Sequence, residues 1–272
     1  MLLSIEERFP RPSVMGVVNV TPDSFSDGGL LLDPAAAATE AWRMLDQGAA
    51  LVDVGGESTR PGAEPVAAAE ELARIEPVLE SLQGAPVSVD TSKAAVARRA
   101  LELGAVLVND VTALRGDPEL AAVVADGRAY LCLMHMQGEP RTMQAAPRYD
   151  DVVAEVAAFL DERLAFAVAQ GIREERICLD PGFGFGKTVA HNLELLRRLD
   201  ELRALGRPLL VGLSRKSALG KLLGDPDAKV GTVPASIGAA VAAFERGASI
   251  FRVHDVRDHV EALTVAAAVE VA

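Results

Sequence analysis

Short, nearly continuous apolar runs recur along the chain: Val14 to Val18, Leu51 to Val54, Pro86 to Val89, Val106 to Val108, Ala129 to Met134, Ile177 to Leu179, Pro208 to Leu213 and Ile250 to Val253. Runs that are apolar at consecutive positions suit parallel strands covered on both faces. Between them lie Ala-, Leu- and Glu-rich helical stretches. Glycines at 48, 84, 104, 127, 171, 206 and 247 stand where a C′ glycine closes each helix before the next strand. This alternation of eight strands and helices predicts an α/β fold, a closed (β/α)8 TIM barrel, with a doubly wound open sheet as the alternative. No linker or shift in composition interrupts it, so residues 1–272 read as one domain.

The connections are unequal in length. Helix leads to strand through a few residues around each glycine, whereas strand leads to helix through Asn19 to Asp33, Gly55 to Glu64, His135 to Asp150 and Asp180 to Val189. In a barrel these long βα loops share the C-terminal rim, where chemistry is found. The strands also end on ligand-capable side chains: Asn19, Asp90, Asn109, His135, Asp180, Ser214, then Arg252 and His254. One such residue reads as a helix cap; a full set around a rim reads as a site.

Charge narrows the choice of ligand. With 27 basic against 39 acidic residues the net charge is −12, which argues against non-specific binding of nucleic acid or of an anionic membrane. An anionic ligand must then be held by a local arrangement. Cys132 and Cys178 lie inside apolar runs without metal-ligand spacing and read as inert core residues in a reducing compartment. The first eleven residues interleave Glu6, Glu7 and Arg8 with apolar ones, unlike a signal peptide or spanning helix, so a cytoplasmic protein is expected.

Asn19 to Gly29 carries Asp23, Asp27, hydroxyls, glycines and a single large apolar residue, Phe25, before Asp33-Pro34 opens a helix; the composition suits a mobile lid. Asp180-Pro-Gly-Phe-Gly-Phe-Gly-Lys-Thr188 imitates a nucleotide-binding loop, but Pro181 stands where the first Walker glycine is required. What remains is Asp180 followed by glycines that admit a planar ligand close to the backbone. Phe183 and Phe185 read equally as core plugs or as a wall for it. Ser214-Arg-Lys-Ser217 and Arg252-Val-His-Asp255, where the last two strands turn into helices, look built for anions, with Asp255 expected as an N-cap. Arg60 adds a cation. Lys216 reads either as a ligand-holding ammonium or as a Schiff-base lysine.

These residues resemble the dihydropteroate synthase family through nearly the whole chain. The resemblance rests on Met15 to Gly29, Asp53-Val-Gly-Gly-Glu-Ser-Thr-Arg-Pro-Gly62, Ser88 to Thr91, Val108-Asn-Asp110, Met134 to Gly138, Asp180 to Lys187, Ser214 to Ser217 and Arg252 to Asp255. It implies condensation of 6-hydroxymethyl-7,8-dihydropterin diphosphate with 4-aminobenzoate, releasing diphosphate and forming dihydropteroate for folate synthesis, with sulfonamides competing for the aminobenzoate position. It further implies that Asp90, Asn109, Asp180 and Lys216 hold the pterin. Asn19, Arg252 and His254 would hold the diphosphate, with Asn19 also touching Mg2+. Phe25, Thr59, Arg60, Pro61, Phe185 and Ser217 would frame the aminobenzoate. A homodimer is implied too. The alternatives are a methyltetrahydrofolate-type pterin methyltransferase, a Schiff-base aldolase and an inactive pterin-binding paralogue.

The implied chemistry is consistent with the residue types. An amino-pyrimidine edge offers adjacent N–H donors that one carboxylate accepts as a pair, while the pterin carbonyl needs a donor. A weakly basic arylamine needs no strong general base, so cleavage of the C–O bond before attack is expected. Asp27 and Asp90 would stabilise the pterin cation and Lys216 would hold the ring.

Overall fold

The computed structural model describes residues 3–21, 33–59 and 62–271. Phe25, Asp27, Arg60 and Pro61, together with the expected lid, lie outside the described residues.

Eight parallel strands close into a barrel in chain order: β1 (Ser13–Asn19), β2 (Leu51–Gly55), β3 (Val87–Asp90), β4 (Leu107–Asp110), β5 (Tyr130–Met134), β6 (Ile177–Asp180), β7 (Leu209–Val211) and β8 (Ala248–Val253). Closure is made by β8 against β1, with Met15 beside Arg252. The strand and helix periodicity therefore resolves to the barrel and not to an open sheet. The helices are α1 (Ile5–Arg8), α2 (Pro34–Asp46), α3 (Ala68–Ser81), α4 (Ala94–Glu102), α5 (Leu120–Gly127), α6 (Val152–Ala169), α7 (Val189–Arg197), α8 (Ser217–Leu222), α9 (Val233–Glu245) and α10 (Val256–Glu270).

Helix starts follow the local chemistry. Asp33 caps α2 by accepting from the Ala35 N–H, with Pro34 at the first helical position. Helix ends follow it with one exception. Gly127 is the last residue of α5, and it is Arg128, at φ 52°, that takes the left-handed position expected of the glycine. Strand β7 is also shorter than the apolar run Pro208 to Leu213, so Ser214 lies three residues past its end rather than on it.

The described core has three parts, the smallest being Val111, Met134, Met136 and Met143 with Phe185 packed against them. A large one fills the space between strands and helices, and a smaller one fills the barrel interior with Met15, Leu51, Leu107, Tyr130, Cys132, Cys178, Leu210 and Ile250. Ile5 and Phe9 join this inner cluster, so α1 plugs the N-terminal mouth. Both cysteines are free and buried; the hydrogen bond with Cys178 and then burial hold the Cys132 thiol well above its usual range, as expected of inert core residues.

Candidate active site at the C-terminal rim

Side chains on a strand alternate between its two faces, so the residue two positions past an inward one is also inward. From the interior apolar layer, Leu51 leads to Asp53, Leu107 to Asn109, Cys178 to Asp180 and Ile250 to Arg252. Ser88 and Asp90 occupy β3 beside them, in register with Asp53 and Gly55. The barrel is thus apolar at its base and polar one layer higher, toward the C-terminal rim.

That polar layer is tightly cross-linked. Arg252 donates from Nε to Asp53 Oδ2 at 2.7 Å and from Nη2 to Asp90 Oδ2 at 2.9 Å. Asn109 Nδ2 donates to the same Asp53 oxygen at 3.0 Å. Burial opposes charge on Arg252, but Asp53 and Asp90 more than offset it and raise its pKa. Burial pushes Asp90 up to about 7 against the attraction of Arg252. Asp53 is fully buried, and its Oδ1 has no hydrogen-bond partner among the described residues.

On the opposite wall, Asp180 is pushed up to about 6 by burial, against the Gly182 N–H and the positive charges of Lys216, Lys187 and Arg252. Gly182 N donates to Asp180 Oδ1 at 2.7 Å. Gly182, Gly184 and Gly186 all have positive φ, and a Cβ on Gly184 would sit 3.2 Å from Lys216 Cδ. The glycines therefore let Lys216 lie across the loop. Its Nζ stands 4.3 Å from the centre of the Phe185 ring, so Phe185 faces the site while Phe183 belongs to the core.

Beneath this loop is buried Lys187, whose Nζ donates to His135 Nδ1 at 2.9 Å, to the Gly182 carbonyl at 2.9 Å and to the Phe185 carbonyl at 3.2 Å. Burial lowers Lys187 to about 7, and burial with the neighbouring Lys187 charge lowers His135 to about 2. His135 is thus a neutral acceptor, and Lys187 pins the loop that resembled a nucleotide-binding motif.

At the third wall, Ser214 Oγ accepts from the His254 backbone N–H at 3.2 Å and lies 3.1 Å from His254 Nδ1. The Ser214 hydroxyl can give its proton to Nδ1 or accept one from it, so both tautomers of the ring fit this pair. Burial and the charge of Arg252 lower His254 to about 3, so it offers a neutral donor and not a second cation. Asp255 precedes α10 without a side-chain cap. Its carboxylate instead takes a bidentate grip on Arg215, through Nε at 2.9 Å and Nη2 at 2.5 Å. A residue held at φ 56° is thereby fixed between the β7 and β8 loops.

Asp90, Asn109, Asp180, Lys216, Arg252 and His254 thus converge on one mouth. Asn19, at the end of β1, and Thr59 and Ser217 are half-buried. Two buried groups were not foreseen as site residues, Asp53 and Lys187. The first was signalled by a carboxylate inside an apolar strand, two positions after inward Leu51.

A family model described as pterin binding enzyme matches residues 15–254. The chain is 48% identical over 258 residues to a dihydropteroate synthase of Neisseria meningitidis serogroup C, covering 93% of this chain and 91% of that protein. It superimposes with TM-score 0.91 on the Yersinia pestis dihydropteroate synthase in a sulfonamide drug complex, at 48% identity and covering 96% and 95% of the two chains. The Xanthomonas albilineans dihydropteroate synthase in complex with 7,8-dihydropteroate matches with TM-score 0.84, 47% identity and 97% and 95% coverage.

Proposed function

The chain belongs to the dihydropteroate synthase family of pterin-binding enzymes, transferases of folate synthesis, and on that premise we propose which residues carry each part of the condensation. The observation that carries the assignment is the convergence of Asp180, Lys216, Arg252 and His254 on one mouth.

Asp180 accepts the adjacent N–H donors of the amino-pyrimidine edge, and Lys216 donates to the ring carbonyl. Asn109, oriented by Asp53, and Asp90 complete the pterin site. Arg252 spends Nε and Nη2 on Asp53 and Asp90, which leaves Nη1 to face the diphosphate. In the tautomer that takes the Ser214 hydroxyl proton at Nδ1, His254 adds its Nε2–H. Asn19, with a hard amide oxygen at the end of β1, would hold Mg2+ together with oxygens that the substrate itself supplies. The ion when bound would neutralise charge on the departing group.

Cleavage of the C–O bond then leaves positive charge at the pterin methylene, which Asp90 and Asp27 stabilise before the arylamine attacks. Thr59, Arg60, Pro61, Phe25, Phe185 and Ser217 frame the 4-aminobenzoate. No described helix is long and apolar enough to cross a membrane, which supports a cytoplasmic enzyme. Val265 and Val269 on α10 are 65% and 73% exposed and suit the face of a homodimer.

Release of diphosphate from 6-hydroxymethyl-7,8-dihydropterin diphosphate, measured with and without 4-aminobenzoate and with and without Mg2+, tests this reading. Release coupled to formation of dihydropteroate is expected. Binding of pterin without turnover would leave an inactive paralogue as the better description.

A further inference from the structure

At the N-terminal end of the barrel, opposite the active-site rim, a cleft of about 650 Å3 opens between two turns. One turn leads from α5 into β5 and the other from α6 into β6. The walls carry three guanidiniums, those of Arg128, Arg173 and Arg176, beside apolar Val124 and Ile172. Arg128 and Arg173 are exposed, whereas Arg176 is only 6% exposed and stands immediately before β6. No residue lining the cleft is acidic. The grouping runs against the net charge of −12 that the chain carries as a whole.

The described residues do not satisfy these cations. The Arg176 side chain has neither an ion pair nor a hydrogen bond among them, and its Nε is buried without a partner. Helix α1 packs against the turn 174–176, but its carboxylates are committed elsewhere: Glu6 accepts from Arg207 Nη2 at 2.7 Å, and Glu7 accepts the Ser4 N–H at 2.8 Å. The Tyr130 hydroxyl donates to the Leu3 carbonyl at 2.9 Å. Glu175 pairs with Arg173, and the exposed Asp126 and Glu174 do not line the cleft. Nor are the arginines helix C-caps, the ordinary reason for basic residues in such turns. The Val124 and Ala125 carbonyls of α5 are taken by the Ala129 and Arg128 N–H groups, and the Phe166, Ala167 and Val168 carbonyls of α6 by those of Gln170, Ile172 and Gly171. A buried guanidinium without a counter-ion is costly, and an anion brought in from solution removes that cost.

We infer that this cleft is a binding site for a small phosphate-bearing anion, separate from the substrate site at the other end of the barrel. Each guanidinium presents paired N–H donors that match phosphate oxygens, and three of them suit a group carrying two negative charges. The volume falls in the range of small-molecule sites, so an organic body has room beside the phosphate, against Val124 and Ile172.

The test titrates the whole protein, at constant ionic strength, with inorganic phosphate, ribose 5-phosphate and adenosine monophosphate, and follows amide exchange over residues 124–129 and 171–176 by mass spectrometry. The expected result is a saturable slowing of exchange in both segments, by at least about threefold, with one or more of the three probes. An ester that saturates at lower concentration than inorganic phosphate makes the ligand a phosphate ester; equal concentrations make it the free anion. The double variant Arg128→Gly with Arg173→Ala changes only exposed residues, and glycine suits the φ of 52° at position 128. It is expected to raise the half-saturating concentration at least about tenfold while kcat and both KM values stay within about twofold. Arg176→Met is expected to raise that concentration as much, and Arg176→Lys less. No saturable slowing with any probe up to about 10 mM, or a slowing that the folded double variant retains in full, overturns the inference.

Discussion

The carboxylate of Asp53 holds the guanidinium of Arg252, Oδ2 to Nε at 2.7 Å, across 199 residues of sequence. The same oxygen holds Asn109, so one buried atom orients a residue assigned to the diphosphate and one assigned to the pterin. Asp53→Asn keeps the shape and removes the charge. It is expected to lower kcat/KM for the pterin diphosphate by about thirtyfold, the equivalent of roughly 2 kcal/mol. Steady-state kinetics on a variant with native circular dichroism checks this; an unchanged value would show that Arg252 and Asn109 are oriented by other contacts.

The pH dependence of binding and that of stability run in opposite directions at Asp180. Its pKa in the folded chain is pushed up to about 6 from the unfolded value of 3.8, so folding favours its protonated form. The contribution to stability is full below pH 3.8 and is lost as pH rises through about 6, a change of about 3 kcal/mol at most. In the contact proposed above, the pterin is held by the ionised form. Affinity for the pterin substrate is therefore expected to fall as pH drops below about 6. Urea titrations of the native protein and of Asp180→Asn between pH 4 and 7 measure the first effect, and calorimetry of pterin binding over the same range measures the second. A stability difference between the two proteins that does not move with pH contradicts the argument.

Gly182 has no room for a side chain. Its φ is +69°, and a Cβ would lie 1.8 Å from the His135 carbonyl oxygen. Gly182→Ala must move the backbone that donates to Asp180, and is expected to cost more than about 3 kcal/mol. Denaturant unfolding gives the number directly, and a loss below about 1 kcal/mol would mean that the loop shifts freely.

Lys187→Met removes the donor that the Phe185 carbonyl and His135 Nδ1 share with the Gly182 carbonyl, which keeps only the Phe185 N–H at 3.1 Å. Amide exchange across residues 182–186 is expected to quicken by about an order of magnitude. Because the Lys187 charge adds to burial in holding His135 down, the His135 pKa rises in the variant. Exchange measured by mass spectrometry and His titration by NMR check the two parts separately.

The barrel was legible because its signals are local. Apolar runs, caps such as Asp33 and most of the closing glycines depend on residues a few positions apart. The rim residues were legible for a similar reason: each stands at or near a strand end, and strand ends share a rim in this fold. Arg128 shows the limit. A glycine beside it carries less torsional penalty in the left-handed conformation, yet Gly127 stays in the last turn of α5, where a Cβ would lie 2.8 Å from Leu101, and Arg128 takes that conformation.

By itself the sequence determined the order of strands and helices, the face of the barrel that carries chemistry and the family to which the chain belongs, because periodicity, caps and long motifs are written in neighbouring positions. The tertiary structure alone decided that Asp53 and Lys187 are buried beside the rim residues, that His254 is a neutral ring, and that Asp255, at the N-cap position of α10, gives its carboxylate to Arg215 and not to the helix. Those properties arise from burial and from partners far apart in the chain. Desolvation and hydrogen-bond geometry come into being only when the barrel closes.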